Sequence, residues 1–378
     1  MKKIFIPLIV MCFTMCKQKS QTDSVIYVDL DSPARASLFD YFRSIELIPL
    51  ETSPDVLIAW ISKIIVHQDY YYVLDMPQSI IFVFDTTGNF LFKIDKKGQG
   101  PGEYIFISDF IINPFSSNLE LLDPSGPVHV YDLSGNYIET KRITYPDFRA
   151  VHLLAAIDSN MHVFHSSSQD KKIIYFDLDE KKLIHEEFEE DRNISRFSSQ
   201  NLYQYQDDWY VFRPIHPIVY KIGKKGLEAT FQFDFGKYAQ DGIKAAFTKE
   251  VGRSLQKMNE EFFAQFPYLI QAVRHNNRYV FASLSLEDFI NNKANFIHDK
   301  TTGESKFILD FTEKVEFNSY RGEEIIVTDE YVLMPVQWVD LEKRIKKEML
   351  DDRQKEIFEE LLQAKMELNP VLIKYWFK

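Results

Sequence analysis

The sequence predicts an all-β fold: a six-bladed β-propeller with two helical insertions on one face and a ring closed by an N-terminal strand. Three observations support this prediction: a composition that favours sheet, a repeat of about 47 residues, and a spare strand ahead of the first repeat. Hydrophobic residues make up 45% of the 378 positions and aromatic residues 15%, including 32 Phe and 20 Tyr. Aromatic side chains suit the pleated, half-buried surface of a strand.

The repeat is clearest in the first two units. Its landmarks in the first unit are Tyr70–Asp75, Ile80–Asp85 and Gly88-Asn89, and they return in the same order as residues 119–123, 128–132 and 135–136. Three separate landmarks shift together by about 47 residues, which chance seldom produces, and this is the length of one propeller blade. The Asp-x-x-Gly-Asn pattern before the fourth strand of each unit is typical of a hairpin turn.

Four further units follow with weaker similarity. Their clearest strand pairs lie at residues 161–165 and 173–177, 209–212 and 218–220, 278–281 and 295–299, and 331–334 and 370–377. The sixth unit lacks an outer strand, whereas residues 43–50 are unassigned ahead of the first unit. We therefore expect this N-terminal strand to complete the last blade, which removes open edges and places the propeller domain at residues 25–378. Two unrelated sheet domains would not predict a six-fold count.

Two segments depart from the strand pattern. Residues 238–266 and 340–367 carry apolar side chains at three- or four-residue steps, which predicts amphipathic helices. In antiparallel blades, the connections that hold these insertions emerge at the same end as the glycine-rich loop after the first unit. We therefore expect the elaborate loops to crowd one face around the mouth of the central channel. The dense charges of the second insertion predict either a docking surface or a solvated helix face.

The N-terminus carries a pattern that predicts export. Residues 1–16 begin with two lysines, continue with an apolar run too short to span a bilayer, and end in cysteine. Cys12 and Cys16 are the only cysteines of the sequence, so the mature chain would have no disulfide framework. The segment resembles a bacterial lipoprotein signal, which implies lipidation of Cys16, a polar tether at residues 17–24, and a location at the outer membrane in the cell envelope. The residue before Cys16 is not the usual small one, so processing at Cys12 and an ordinary cleaved signal stay open.

The glycine-rich loop, Gly98-Gln99-Gly100-Pro101-Gly102-Glu103-Tyr104, resembles a spaced-glycine pattern followed by an aromatic residue. Together with the repeat and the strand that follows Asn369, it resembles the bacterial six-bladed β-propeller lipoproteins related to NHL-repeat proteins. That resemblance covers nearly all of the chain after the signal and implies a surface or periplasmic protein, often of unknown activity. A phosphate-binding loop is the rival interpretation, but the lysine and hydroxyl of the Walker pattern do not follow.

Several residues are candidates for a site on the loop-rich end. Arg213 and His216 share a proline-flanked loop and are candidates for binding an anionic ligand, and Glu103 and Tyr104 are ligand-binding candidates on the glycine-rich loop. Asp75 and Asp123 end the second strands of blades 1 and 2, where paired carboxylates could bind calcium or magnesium. The alternative for both aspartates is turn capping, and for the Arg213 loop a solvated turn.

These patterns favour a binding protein over an enzyme. The formal net charge of −12 repels nucleic acid, and neither a Gly-x-Ser-x-Gly elbow nor a mature cysteine is available as a nucleophile. We predict a binding or scaffolding module that presents its loop-rich face to an envelope protein, peptide or glycan. The alternative, by similarity to other six-bladed propellers, is a metal-dependent lyase or lactonase with Asp75, Asp123 and His216 at the channel mouth and calcium as a candidate cofactor.

Overall fold

A computed structural model describes residues 24–143, 151–166, 173–187, 201–214, 216–238, 260, 267–286, 293–317, 325–364 and 367–378. Its strands form six small sheets. Buried apolar clusters join neighbouring sheets all the way round, including one between the last sheet and the first. The sheets therefore close into a six-bladed β-propeller, as predicted.

The strands follow the predicted blade order. Two strands precede the first blade: β1 (Val25–Tyr27) and β2 (Phe42–Pro49). Blade 1 contains β3 (Lys63–His67), β4 (Tyr70–Asp75), β5 (Ile80–Asp85) and β6 (Phe90–Ile94). Blade 2 contains β7 (Asp109–Ile112), β8 (Leu119–Leu122), β9 (Pro127–Tyr131) and β10 (Tyr137–Arg142). Blade 3 contains β11 (Val151–Ala156), β12 (Met161–Ser166), β13 (Ile173–Asp177) and β14 (Lys182–Glu187).

The second half of the ring repeats this arrangement. Blade 4 contains β15 (Leu202–Tyr205), β16 (Asp208–Phe212), β17 (Ile218–Gly223) and β18 (Gly226–Asp234). Blade 5 contains β19 (Leu269–His275), β20 (Tyr279–Ser285), β21 (Lys293–Asp299) and β22 (Ser305–Ile308). Blade 6 contains β23 (Ile326–Val327), β24 (Tyr331–Val336) and β25 (Val371–Phe377).

The N-terminal strand β2 closes the ring. It pairs antiparallel with β25, with Phe42 opposite Phe377 and Pro49 opposite Val371, and it is the outermost strand of blade 6. Blade 6 therefore combines a strand from the beginning of the chain with three from its end. This arrangement confirms the predicted role of the unassigned N-terminal segment.

The residues before β2 form an additional feature, an N-terminal strap at residues 24–41. Its strand β1 pairs parallel with β18 and extends blade 4 to five strands. Further along, the backbone N–H of Ala34 donates to the carbonyl of Phe307 at 2.6 Å, and Ala36 bridges to Phe311. The strap thus covers the outer edges of blades 4 and 5, where unpaired backbone groups would otherwise invite pairing with another chain.

The second predicted insertion is helical and lies between β24 and β25. It contains α1 (Leu341–Arg344) and α2 (Asp352–Leu362), separated by extended backbone at Ile345 and a 3₁₀ turn at Lys347–Met349. The side-chain oxygen of Gln354 in α2 accepts the backbone N–H of Leu47 in β2 at 2.7 Å. The insertion therefore packs on the outermost strand of blade 6, at the rim of the ring, which differs from the expected position around the channel mouth.

The first predicted insertion, residues 238–266, lies outside the described residues except at its two described positions, 238 and 260. Within the described ranges, no helix is long and apolar enough to cross a membrane.

The connections divide between two faces. Connections between blades, and between the second and third strands of a blade, emerge on one face and include residues 50–62, 95–108, 213–214, 216–217, 337–364 and 367–370. We call this the loop-rich face. The first-to-second strand connections emerge on the opposite face and are short, at residues 68–69, 113–118, 206–207, 276–278 and 328–330. We call this the short-turn face.

Candidate functional site

A cavity of about 340 Å³ occupies the central channel. Its walls are residues 63–66, 202–206, 209, 274 and 325–329. Most of them belong to the innermost strands of blades 1, 4, 5 and 6, which face the axis of the ring. The volume lies at the lower end of the range for small-molecule sites, roughly 300–1,000 Å³.

The cavity runs towards the short-turn face. Lys63 begins β3 near the loop-rich face, whereas Gln206 and Asp329 lie in turns of the short-turn face. Gln204, Gln206 and Asp329 are exposed, so solvent reaches this end of the channel. The site that the geometry favours therefore opens at the opposite end from the predicted one.

Lys63 is a buried, charged residue in the wall of the channel. It is 8% exposed, and its Nζ donates to Oδ1 of Asp109 at 2.7 Å. Asp109 also accepts the backbone N–H of Phe110 at 2.9 Å and that of Leu154 at 2.8 Å. Complete burial raises the pKa of Asp109, while Lys63 and these N–H donors oppose the rise by stabilising the carboxylate. The ion pair joins blades 1, 2 and 3 around the channel.

Aromatic rings flank the same ammonium group. The Nζ of Lys63 lies 5.8 Å from the ring centroid of Phe110 and 5.8 Å from that of Trp209, distances at which a cation is attracted to a ring face. The indole N–H of Trp209 is buried and has no hydrogen-bond partner in the part of the chain that the structure describes. Lys63 of blade 1 and the ring of Trp209 of blade 4 therefore meet in one region of the channel wall.

Arg274 adds a second buried cation to the wall. Its guanidinium donates to the carbonyls of Ile325 and Val273 at 2.8 Å each, and its Cζ lies 4.9 Å from the ring centroid of Tyr203. The hydroxyl of Tyr203 hydrogen-bonds Nδ1 of His275 at 2.8 Å. Burial, together with the nearby positive charges, lowers the pKa of His275 to about 3. His275 is therefore neutral at pH 7 and adds no charge beside Arg274.

The rim on the short-turn face is held by Asp329. Its carboxylate accepts the hydroxyl of Tyr205 at 2.8 Å and the backbone and side-chain N–H groups of Asn277 at 2.9 Å each. Burial and the hydrogen bond to Asp329 raise the pKa of Tyr205 to about 12. These contacts fix the rim and hold the Asp329 carboxylate in place.

The two aspartates predicted as metal ligands are engaged by their own loops. Asp75 is fully buried and accepts the N–H groups of Ala59 at 2.5 Å and Gln78 at 3.0 Å. Asp123 accepts the N–H and hydroxyl of Ser125 at 2.8 and 2.5 Å. This geometry fits the turn-capping alternative. Across the described ranges, no group of three or more His, Cys, Asp or Glu residues could hold a metal ion.

Arg213 and His216 share a turn on the loop-rich face. The backbone N–H of His216 donates to the carbonyl of Arg213 at 3.0 Å, and the carbonyl of Pro214 accepts the N–H of Ile270 from blade 5 at 2.9 Å. Burial and the charge of Arg213 lower the pKa of His216 to about 4. The imidazole is therefore neutral at pH 7, and an anion at this turn would meet the single charge of Arg213. Anion binding here stays a prediction.

Glu103 and Tyr104 stabilise the glycine-rich loop itself. The carboxylate of Glu103 accepts the N–H of Gly100 at 2.7 Å, and a Cβ at Gly98 would lie 1.9 Å from this carboxylate. Tyr104 is 2% exposed, and its hydroxyl donates to the carbonyl of Ile94 at 3.0 Å. Both side chains are thus used within the loop, so their predicted ligand-binding role has no support in these contacts.

The residues of the channel were not among the predicted site residues. The signal was present: Lys63 precedes an apolar run of three residues in β3, and Arg274 follows Ala272 and Val273 in β19. A charged side chain on an innermost strand lies inside the ring, and a buried charge needs a partner. Cys16, the predicted lipidation site, lies outside the described residues.

Comparisons with known proteins agree with this fold. A family model described as a domain of unknown function, DUF4934, matches residues 24–375. The crystal structure of a "Putative exported protein" from Bacteroides fragilis is similar, with a TM-score of 0.70 and 17% identity over 94% of this chain and 99% of that one. A DUF4221 family member from Bacteroides vulgatus has a TM-score of 0.58 and 10% identity over 89% of this chain and 97% of that one. No curated protein sequence matches the chain.

Proposed function

We propose that this chain, which belongs to the DUF4934 family of domains of unknown function, is an exported binding protein that holds a small ligand in its central channel. The observation that carries the proposal is the solvent-connected cavity of about 340 Å³ with a buried lysine in its wall. Burying a charge is costly unless it is paired; Asp109 supplies that partner, and the described hydrogen bonds leave two N–H donors of Lys63 for a ligand. Pockets of this size with mostly apolar walls and a few polar groups are the usual form of a ligand site.

The loops of the loop-rich face offer fewer groups for binding a partner than the channel does. Leu341, Ile345 and Phe358 of the second insertion are buried in the core between blades 5 and 6, so these three side chains are not presented to a partner. The polar groups of the glycine-rich loop bond within the loop. Binding of an envelope protein, peptide or glycan on the loop-rich face stays a prediction, as does the lyase or lactonase alternative.

A ligand screen with a matched pair of variants tests the channel as the site. Gln204→Trp places a large ring in the cavity from an exposed inner-strand position, whereas Thr230→Trp adds the same ring at an exposed position on the outer strand of the same blade. We expect compounds that raise the melting temperature of the wild type to do so equally with Thr230→Trp and not with Gln204→Trp. Hits that stabilise all three chains equally would place binding elsewhere and contradict the proposal.

The same proposal includes a lipid anchor at Cys16 and an outer-membrane location. The similarity to an exported protein and the signal-like N-terminus support it. Residues 17–24 would link the lipid to β1, which starts at Val25 on the outer edge of blade 4. We expect Cys16→Ser to move the protein from the membrane fraction to the soluble fraction, with Cys12→Ser as the matched control. Release by Cys12→Ser alone would assign the anchor to Cys12.

A further inference from the structure

We propose, resting on the proposed function, that the channel ligand is a small organic acid with an apolar or aromatic body. Its carboxylate would accept hydrogen bonds from the Nζ of Lys63, and its body would lie against the apolar walls and the ring of Trp209. Three features of the channel support this assignment separately: its hydrogen-bond donors, its charges and its walls.

The hydrogen-bonding groups around Lys63 call for an acceptor. A lysine ammonium carries three N–H donors and no acceptor, and the described contacts of this one use a single donor, to Asp109. The ring of Trp209 lies beside the same Nζ, while its own N–H is buried out of reach of the cavity. A ligand that brings oxygen acceptors would use the two N–H donors of Lys63 that the described hydrogen bonds leave.

The charges favour an anion among the possible acceptors. The ionic side chains in the wall are two cations, Lys63 and Arg274, and one anion, Asp329, which lies at the rim on the short-turn face. The side chain of Asp109 is 2% exposed and lies behind Lys63, outside the wall of the cavity. A cationic ligand would meet two buried cations of like charge, whereas a carboxylate would form charge-assisted hydrogen bonds, which are stronger than neutral ones.

The rest of the wall suits an apolar body. Between the polar groups lie aliphatic residues: Ile64, Ile65, Val66, Leu202, Ile325, Ile326 and Val327. Trp209 and Tyr203 add aromatic faces on the blade 4 side. A sugar, with hydroxyl groups around its whole circumference, would leave many of them against aliphatic carbon without hydrogen bonds. An acid whose polarity is confined to one end avoids that cost.

Three probes of one shape test the assignment on the wild-type chain: phenylacetate, phenylacetamide and phenethylammonium, measured by isothermal titration calorimetry at pH 7. We expect phenylacetate to bind about ten- to hundredfold more tightly than the amide, the difference that a charged hydrogen bond brings, and the amine not to bind. Lys63→Met should abolish this preference, and its melting temperature shows whether it is folded. Equal binding of acid and amide, or a preference for the amine, would overturn the assignment, and this comparison needs no variant.

The outcomes separate the two proposals. If neutral or cationic compounds bind and Gln204→Trp blocks them, the channel is a ligand site and only the acid assignment fails. If no compound of the probe set or of the wider screen binds in a manner sensitive to Gln204→Trp, the channel is not a ligand site and both proposals fail.

Discussion

The buried pair of Glu120 and His162 is a place where removing one charged partner should cost much stability. Nε2 of His162 lies 2.7 Å from Oε2 of Glu120, and the side chains are 0% and 3% exposed. Nδ1 of His162 faces the carbonyl of Asn160 at 3.1 Å, and Asn113 donates to Oε1 of Glu120 at 2.8 Å. Both ring nitrogens of His162 face acceptors, which is the geometry of an imidazolium paired with a carboxylate. It joins blade 2 to blade 3.

Glu120→Gln keeps the shape of the side chain and removes the charge. A glutamine has one oxygen, so it can accept from His162 or from Asn113 but faces the other with an N–H group. The imidazolium also loses its counter-charge in a fully buried position. Removing one partner of a buried pair costs about 3–5 kcal/mol, and we expect a loss of this size in the free energy of unfolding. Replacing both residues with leucine should recover part of the loss, since no charge then remains buried.

The assay is urea unfolding at pH 7, followed by circular dichroism. The matched control is Asp179→Asn, which removes one partner of the exposed pair with Lys141, at 2.8 Å, and should cost less than about 1 kcal/mol. A loss for Glu120→Gln no larger than that of the control would refute the reasoning.

The same pair predicts a pH dependence. Burial alone would raise the pKa of Glu120, but the charge of His162 and hydrogen bonds from His162 and Asn113 lower it overall. A lowered pKa in the folded chain means that the contribution to stability is present above the pKa of an unfolded glutamate, about 4.3. This contribution to stability is lost as the pH falls through the lowered pKa of Glu120 in the folded chain. The stability difference between wild type and Glu120→Gln should therefore narrow below about pH 4, and a constant difference would contradict the assignment.

Two further predictions concern the glycine-rich loop and the N-terminal strap. Gly102 has a φ of +76°, and a Cβ there would lie 2.5 Å from the ring of Tyr137, whereas Gly303, at φ +74°, has nothing within 4 Å. Both substitutions to alanine meet the same backbone strain, and only the one at Gly102 also meets the ring of Tyr137. Gly102→Ala should therefore lower the free energy of unfolding by about 1–3 kcal/mol more than Gly303→Ala. Equal losses of free energy in urea unfolding would exclude the clash. Removing residues 24–36 uncovers the edge of β18. We expect the shortened chain to have a lower melting temperature than the chain that starts at residue 24. We also expect it to associate with rising concentration in size-exclusion chromatography. Unchanged behaviour would show that the strap does not protect that edge.

The fold was predictable because its signals are local and repeated. The Asp85 turn illustrates this: its carboxylate accepts the N–H groups of Thr87 and Asn89 at 2.9 and 3.0 Å, so the aspartate and the residues it binds are fixed within five positions. The same turn recurs at Asp132, where Ser134 and Asn136 donate. Contacts of such short range leave a pattern that sequence inspection finds, and the period of the pattern then gives the number of blades.

The channel was not predictable by the same means because it is assembled from distant strands. Lys63 meets Asp109 and Trp209 only when blades 1, 2 and 4 close around the axis. No spacing pattern in the sequence indicates that these distant residues come into contact. The strap was missed for a different reason, since its single three-residue strand is too short to show an alternating pattern.

One labelling experiment tests the central claim, that the channel is an accessible site suited to anions, without knowledge of the ligand. Both cysteines of the sequence lie within its first 16 residues, so a chain that starts at residue 20 with Gln204→Cys has a single thiol in the channel, and Thr230→Cys provides the outer-strand control. Each thiol is labelled with methanethiosulfonate reagents that carry a sulfonate or a trimethylammonium group. For each position we take the labelling rate with the sulfonate reagent divided by the rate with the trimethylammonium reagent. We expect this ratio to be at least about threefold higher at position 204 than at position 230, because Lys63 and Arg274 lie in the channel wall. An equal or lower ratio, or no reaction at position 204 in the folded chain, would contradict the account.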